Sequence, residues 1–253
     1  MSVNSRKSGM DIQRDIENYR LSKPSRLGRG IERFTHPFGK TLAGLVPDTV
    51  IRAVIKGIDQ AVAIPQLMTF DHDVHDIEAA HHAARKVSRA AQGVSASTGA
   101  AAGLGGAVSM TADIPATMAI ALRTIRDTGR AFGFDGEGPE EKIFRLQILE
   151  LATLDDPDVR RDRIADLEAQ IDPNGHLKSA KGDDIFGVVD QAVERISRAL
   201  AFAAFRSRAG MLVPVAGSIV GGLVNSSFQA DIGKAARFAF QVRALKRAEM
   251  IEG

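Results

Sequence analysis

The sequence predicts an all-α fold, a multi-helix bundle of roughly seven to nine helices built around two Gly/Ala-rich central helical segments. Three observations lead there. Apolar residues recur at helical spacing along most of the chain. Runs of alternating Val, Ile, Thr and Tyr are missing, and aromatic residues make up only 5% of the 253 residues, with a single Tyr (Tyr19) and no Trp. Finally, two long stretches carry no formal charge: Ala90–Ala112, of 23 residues, and Ala209–Ala230, of 22, each dense in Gly, Ala and Ser and each followed by an aspartate.

The elements follow in chain order. Residues 1–30 read as a weakly ordered N-terminal segment with a short amphipathic helix around Asp11–Leu21, and residues 31–253 as one helical domain. Pro37 and Pro47 break the chain before a helix capped by Asp48, whose Val50, Ile51, Val54, Ile55, Ile58 and Val62 form an apolar stripe ending at Pro65. A helix starting at Asp71 or Asp73 runs to about Ala91 and enters the first charge-free run. Asp113 reads as the N-cap of a helix with Pro115 in its first turn, ending at Gly133. Pro139 opens a helix to Ala152. The Asp156-Pro157 pair opens a charged one to about Ile171. Residues 172–184 form a polar loop, and helices follow over Ile185–Arg206, Pro214–Phe228 and Ile232–Ile251. No linker is long enough to demand a second domain.

Charge is unevenly spread. Residues 1–40 hold nine Lys/Arg against four Asp/Glu, residues 134–194 hold seven against sixteen, and residues 195–248 hold nine against one. Such a pattern fits pairing within the fold, or a basic face for anionic lipid headgroups. Nucleic acid is excluded as a partner, because the basic residues are not interleaved with aromatics and no binding motif is present. The polar N-terminus has no apolar core of a secretory signal, and the chain has no Cys, so a cytoplasmic location is expected.

The charge-free runs are long enough to span a bilayer but poor in the Leu, Ile, Phe and Val that drive insertion. Peripheral contact, or tight packing in a soluble core, suits them better. Small residues at four-residue spacing, Gly99 with Gly103 and Gly217 with Gly221, let helices approach closely. Asp113, Asn225 and Asp231 are candidate buried polar groups. Ile219 with Arg206, Arg208, Lys234, Arg237 and Arg243 is the candidate contact with lipid or partner.

No catalytic motif competes with these features. Residues 103–106 (GLGG) lack the Gly-Lys-Ser/Thr ending of a phosphate loop, and no Gly-x-Ser-x-Gly elbow occurs. Four of the six His lie in DHDVHDIEAAHH (71–82), where a helix would align His75, Glu78 and His82 as a metal-binding alternative. A second Glu-x-x-His, which a di-iron site requires, is missing, so no cofactor is expected.

Three blocks carry a family resemblance: GAAAGLGGAVSMTADIPATMAIALRTI (99–125), GRAFGFDGEGPEEKIFRLQILEL (129–151) and VPVAGSIVGGLVNSSFQADIGKAARFAFQVR (213–243). In content, order and spacing the chain resembles the EcsC protein family of bacteria. The resemblance implies a helical protein with hydrophobic Gly-rich segments that associates with membranes, in a family named for a gene encoded beside an ABC transporter. It supplies no catalytic residues. The expected function is therefore a non-catalytic accessory or binding protein, cytoplasmic and peripheral on the inner membrane, contacting lipid or a membrane complex. A metal-dependent enzyme using residues 71–82 is one alternative. A soluble scaffold that forms homo-oligomers through its Gly-rich helices is the other.

Overall fold

The computed structural model describes residues 3–22, 48–63, 65–66, 68–103, 109–154, 156–179, 182–209 and 214–252. Among them the chain forms eight helices: α1 (Val3–Leu21), α2 (Asp48–Ala63), α3 (Ile77–Gly103), α4 (Ser109–Ala131), α5 (Pro139–Leu151), α6 (Pro157–Ala169), α7 (Gly182–Ala209) and α8 (Pro214–Glu252). The sole extended pairing among the described residues is an isolated bridge between Ile171 and Leu177. The protein is all-α, as its composition predicts.

Two long helices organise the bundle. α3 and α8 form its most extensive pair, and α4 packs on both; α2 lies mainly on α4. The α3/α8 seam is built from small residues. Ala80, Ala84, Val87, Ser88 and Ala91 of α3 and Ala235, Ala236 and Ala239 of α8 are all buried. At Gly233 an added Cβ would collide with the Ser88 side chain, so only glycine permits this approach. Ser88 meets Gly233 and Arg237, and His81 meets Gln241, so the two helices run antiparallel. Beyond the seam, Phe132, Phe134, Phe144, Phe228, Phe238 and Phe240 fill the core with α5 and the end of α4.

Local chemistry sets the helix starts. Asp156 accepts from the backbone N–H of Asp158 at 2.8 Å and of Val159 at 3.1 Å, with Pro157 in the first position, as the sequence predicts. α3 instead starts after Asp76, whose carboxylate takes the Ala79 N–H at 3.0 Å; Asp73 is used up in a turn with His75. In α2 the inward stripe is Val50, Ala53, Val54, Gly57 and Ala61, while Ile55 is exposed. The shift arises because α4 comes very close. A Cβ at Gly57 would stand 2.5 Å from the Cβ of Met118, so small residues face the contact.

Three further boundaries differ from expectation. α1 reaches back to Val3, and Ile12 and Ile16 enter the core while Tyr19 stacks on Phe238 at 4.6 Å. Asp113 lies inside α4 and is not its N-cap. The break foreseen near residue 230 does not occur, and α8 is one helix of 39 residues, about 58 Å long at 1.5 Å per residue. Asp231 fits within it by pairing with Lys234 one turn on, at 3.1 Å, while Phe228, Gln229 and Ile232 on either side are buried. Among the described residues no helix is long and apolar enough to cross a membrane.

Candidate functional site

Three helices converge on Arg237. α1 brings Asp15. α3 brings His81, Arg85, Ser88 and Arg89, which share one helical face. α8 brings Arg237 and, one turn on, Gln241. Arg237 Nη1 donates to Ser88 Oγ at 2.9 Å, and that hydroxyl donates in turn to the carbonyl of Ala84 at 3.1 Å. The Arg237 Nε is buried and has no hydrogen-bond partner among the described residues. Burial pushes the guanidinium below its ordinary pKa. The Asp15 carboxylate opposes that shift, and the charges of Arg85 and Arg89 add to it. Arg85 and Arg89 are exposed, and neither they nor Arg237 forms an ion pair among the described residues.

The lower part of this junction is a hydrogen-bonded strap. The Gln241 amide nitrogen donates to Asp15 Oδ2 at 3.2 Å and lies 2.8 Å from His81 Nδ1. A neutral His81 accepting at Nδ1 satisfies both contacts. Burial lowers the His81 pKa, with Asp15 opposing and Arg237, Arg85 and His82 reinforcing the shift. The junction therefore holds three arginines against one carboxylate, which is chemistry suited to an anion.

Other charged groups are consumed within the fold. Arg243 is 2% exposed; its two terminal nitrogens clasp Glu141 at 2.8 and 2.9 Å, and Nε donates to the Gly175 carbonyl at 2.9 Å. Its guanidinium sits 4.0 Å from the Phe134 ring centroid, with Phe144 and Phe240 close by. Gly175 has a φ of +77°, and a Cβ there would stand 2.5 Å from the Arg243 carbonyl oxygen. Glu150, also buried, pairs with Arg195 at 2.5 Å and lies 3.7 Å from Arg163. A pocket of about 600 Å³ is lined by Pro65, Gln66, Arg126, Arg130, Asp135 and Glu137. Its charges balance, and Glu137 is engaged with Arg145 at 3.1 Å.

The EcsC protein family matches residues 12–245. The chain belongs to the EcsC protein family. It is 24% identical over 228 residues to "Protein EcsC" of Bacillus subtilis (strain 168), covering 89% of this chain and 90% of that one. It is also 37% identical over 57 residues to "Uncharacterized protein YdbA" of the same organism, covering 22% and 21%. No solved structure matches.

The EcsC match begins inside α1 and ends near the end of α8, so it contains the whole Arg237 junction. Of the residues singled out in the sequence, Arg237 lies at this junction, and Lys234 is exposed one turn before it, paired with Asp231. Asp231 is partly buried. Arg243 departs from expectation. It is enclosed and neutralised by Glu141, so it cannot meet a headgroup. Gly99, Gly103, Gly217 and Gly221 fall within α3 and α8. The surroundings of these glycines, and the side chains of Asp113, Arg206, Arg208, Ile219 and Asn225, lie outside the described residues.

The proposed metal ligands are not brought together. His75 sits in the turn before α3, Glu78 and His82 are exposed and 3.9 Å apart, and His81 turns away to Gln241. Among the described residues no group of three or more His, Cys, Asp or Glu is arranged to hold a metal ion. The sequence reading missed Asp15, Arg85, Ser88, Arg89 and Gln241. One signal was available: Arg85-Lys86 and Arg89 stand immediately before the first charge-free run, which begins at Ala90.

Proposed function

We propose that this EcsC-family protein is a non-catalytic binding protein that docks peripherally on an anionic membrane surface. The observation that carries this reading is the antiparallel register of α3 and α8. Ser88 against Arg237 and His81 against Gln241 fix that register. It directs the C-terminal run of α3 and the N-terminal run of α8 toward one end of the bundle. Both runs are charge-free in sequence. α7 ends only a few residues before α8 begins, so Arg206 and Arg208 approach the same end by chain connectivity.

A charge-free end with arginines behind it is the arrangement an interfacial protein needs. From Arg89 to Gly103 is a rise of about 21 Å at 1.5 Å per residue. Interfacial segments bury roughly 5–10 Å into the headgroup and acyl boundary, so an upright α3 with its tip there would leave Arg89 about 11–16 Å behind the buried part, and an oblique α3 brings Arg85, Lys86 and Arg89 nearer the headgroups. Each basic group near an anionic surface contributes about 1 kcal/mol. Several together hold a segment that is too weakly apolar to insert alone.

Co-sedimentation with vesicles tests this. Binding should rise with the fraction of phosphatidylglycerol over phosphatidylcholine and fall with added salt, since screening acts over about 8 Å at physiological ionic strength. Arg206→Glu with Arg208→Glu should weaken it, and Ile219→Asp should weaken it at all salt concentrations. Full-length protein that stays in the supernatant with anionic vesicles at low salt would overturn the proposal and leave the charge-free runs as packing surfaces of a scaffold.

A further inference from the structure

We infer that Arg85, Arg89 and Arg237 form a discrete binding site for a phosphate group, at the junction of α1, α3 and α8. The inference deepens the membrane reading and rests on it for the source of the phosphate, a lipid headgroup; a free phosphate ester shares the same chemistry.

Four features set this cluster apart from a solvated basic surface. Arg237 is anchored, because its Nη1 is fixed on Ser88 Oγ at 2.9 Å and that hydroxyl is tied to the Ala84 carbonyl. Anchoring removes much of the side-chain entropy that an arginine loses on binding. Its Nε is buried without an acceptor, a donor left unsatisfied by the described protein groups. Arg85 and Arg89 stand one turn apart on α3, on either side of Ser88 in register, and are near enough for their charges to act on Arg237. Neither has an acidic partner on its own helix at i±4: the residues there are His81, Arg85, Arg89 and Gly93. Basic residues that serve only solubility are commonly interleaved with acids, as Arg163 with Asp166 and Arg198 with Glu194 are elsewhere in this fold.

The opposing charge is also informative. Asp15 is the acid that acts on Arg237, and its Oδ2 is held by the Gln241 amide, so it is turned toward the strap with His81. It sets the net charge of the junction without pairing directly with an arginine among the described residues. An incoming phosphate then meets three guanidinium groups, of which one is anchored on Ser88 and two are exposed, and the exposed two can each present two N–H donors to one phosphate.

The test uses the full-length chain and two probes. Titration calorimetry with inorganic phosphate, against chloride at matched ionic strength, reads the site alone. Co-sedimentation with phosphatidylglycerol vesicles reads the headgroup. Arg85→Gln and Arg89→Gln are exposed changes that leave the core intact, and each should weaken phosphate binding about tenfold, the cost of one charge-assisted contact. Asp15→Asn keeps an acceptor for Gln241 and removes the opposing charge, so it should tighten binding several-fold. Lys56→Gln on α2, an exposed lysine away from the junction, should change nothing. The site is refuted if phosphate binds no better than chloride, or if Lys56→Gln weakens binding as much as Arg89→Gln does. Vesicle binding that survives Arg85→Gln with Arg89→Gln while phosphate binding is lost refutes the lipid headgroup as the ligand of the site, though the membrane reading stands. Phosphate binding with no vesicle binding supports the site and overturns the membrane reading.

Discussion

Replacing Glu141 by Gln should destabilise the fold by about 3 kcal/mol. The change keeps the shape of the side chain and removes its charge. Arg243 is then left as a buried cation, 2% exposed, facing an amide whose NH₂ group cannot accept from its Nη nitrogens. Breaking a buried pair from one side costs about 3–5 kcal/mol. The lower end applies because the Glu141 side chain is 15% exposed and the Gly175 carbonyl and three phenylalanine rings still face the guanidinium. Against a total stability of about 5–15 kcal/mol, the loss is large. Urea denaturation followed by far-UV circular dichroism should show the midpoint falling by about 1 M or more, taking a slope of about 1–3 kcal/mol/M. Arg243→Met should cost more, because it strands Glu141 and the Gly175 carbonyl together. The double variant Glu141→Leu with Arg243→Met should cost less than the sum, since an apolar replacement of both partners leaves no buried charge. A loss for Glu141→Gln within the roughly 0–1 kcal/mol of an exposed ion pair would refute the reasoning.

Two pH effects follow from the groups around α1. Tyr19 is the only tyrosine and there is no Trp, so its ionisation can be followed by absorbance without interference. Burial pushes its pKa up to about 12, with Arg160 opposing; the stabilisation from keeping the phenol neutral is therefore full below about 10, the unfolded value, and is lost as pH rises toward 12. At the pH where denatured chain is half ionised, native chain should show almost no tyrosinate, and coincident titration curves would refute the burial argument. His81 behaves in the opposite sense. Its folded pKa is lowered, so the fold is unaffected above the usual histidine value of about 6.5 and loses stability as pH falls below it. The groups facing it are Asp15 on α1, His82 and Arg85 on α3, and Arg237 and Gln241 on α8. His81→Gln should flatten the dependence of thermal stability on pH in the acidic range, and an unchanged slope would show that other groups carry it.

The fold class and most helices were legible in the sequence because their signals are local. Asp156-Pro157, Pro139 and the turn at Gly133 act within a few residues and are found where the pattern puts them. The misjudged boundaries each involve a distant partner. Asp231 looks like a cap until Lys234 and the buried faces of its neighbours hold it inside α8. Ile55 looks like core until the Gly57 contact with Met118 rotates the stripe. The candidate site was legible in one residue, Arg237, and not in its partners. Arg85, Ser88 and Asp15 are ordinary polar residues on their own helices, and only the antiparallel register of α3 and α8, with α1 laid across them, makes them a group. Arg243 was misread for the same reason. Nothing within its own turn reveals Glu141, which lies 102 positions away and encloses it.

α8 separates two roles along one helix. Its C-terminal half carries Arg243, the aromatic cluster and Lys246, whose ammonium group donates to the carbonyls of Glu168 and Ile171 at 3.3 and 2.7 Å. Its N-terminal half is free of charge as far as Ala230, with Arg237 between the two. About 14 Å of continuous helix separates Ala230 from Gly221, and about 24 Å separates it from Pro214, at 1.5 Å per residue. A rod anchored that firmly at one end transmits position without needing the other end to contribute to stability. Polar substitution at Ile219 should therefore reduce vesicle binding with little change in the denaturation midpoint, whereas Glu141→Gln should do the reverse wherever the chain remains folded. Variants that lose binding and stability together, at both ends alike, would mean that the charge-free run is part of the packed core. The lipid reading would then give way to that of a tightly packed bundle.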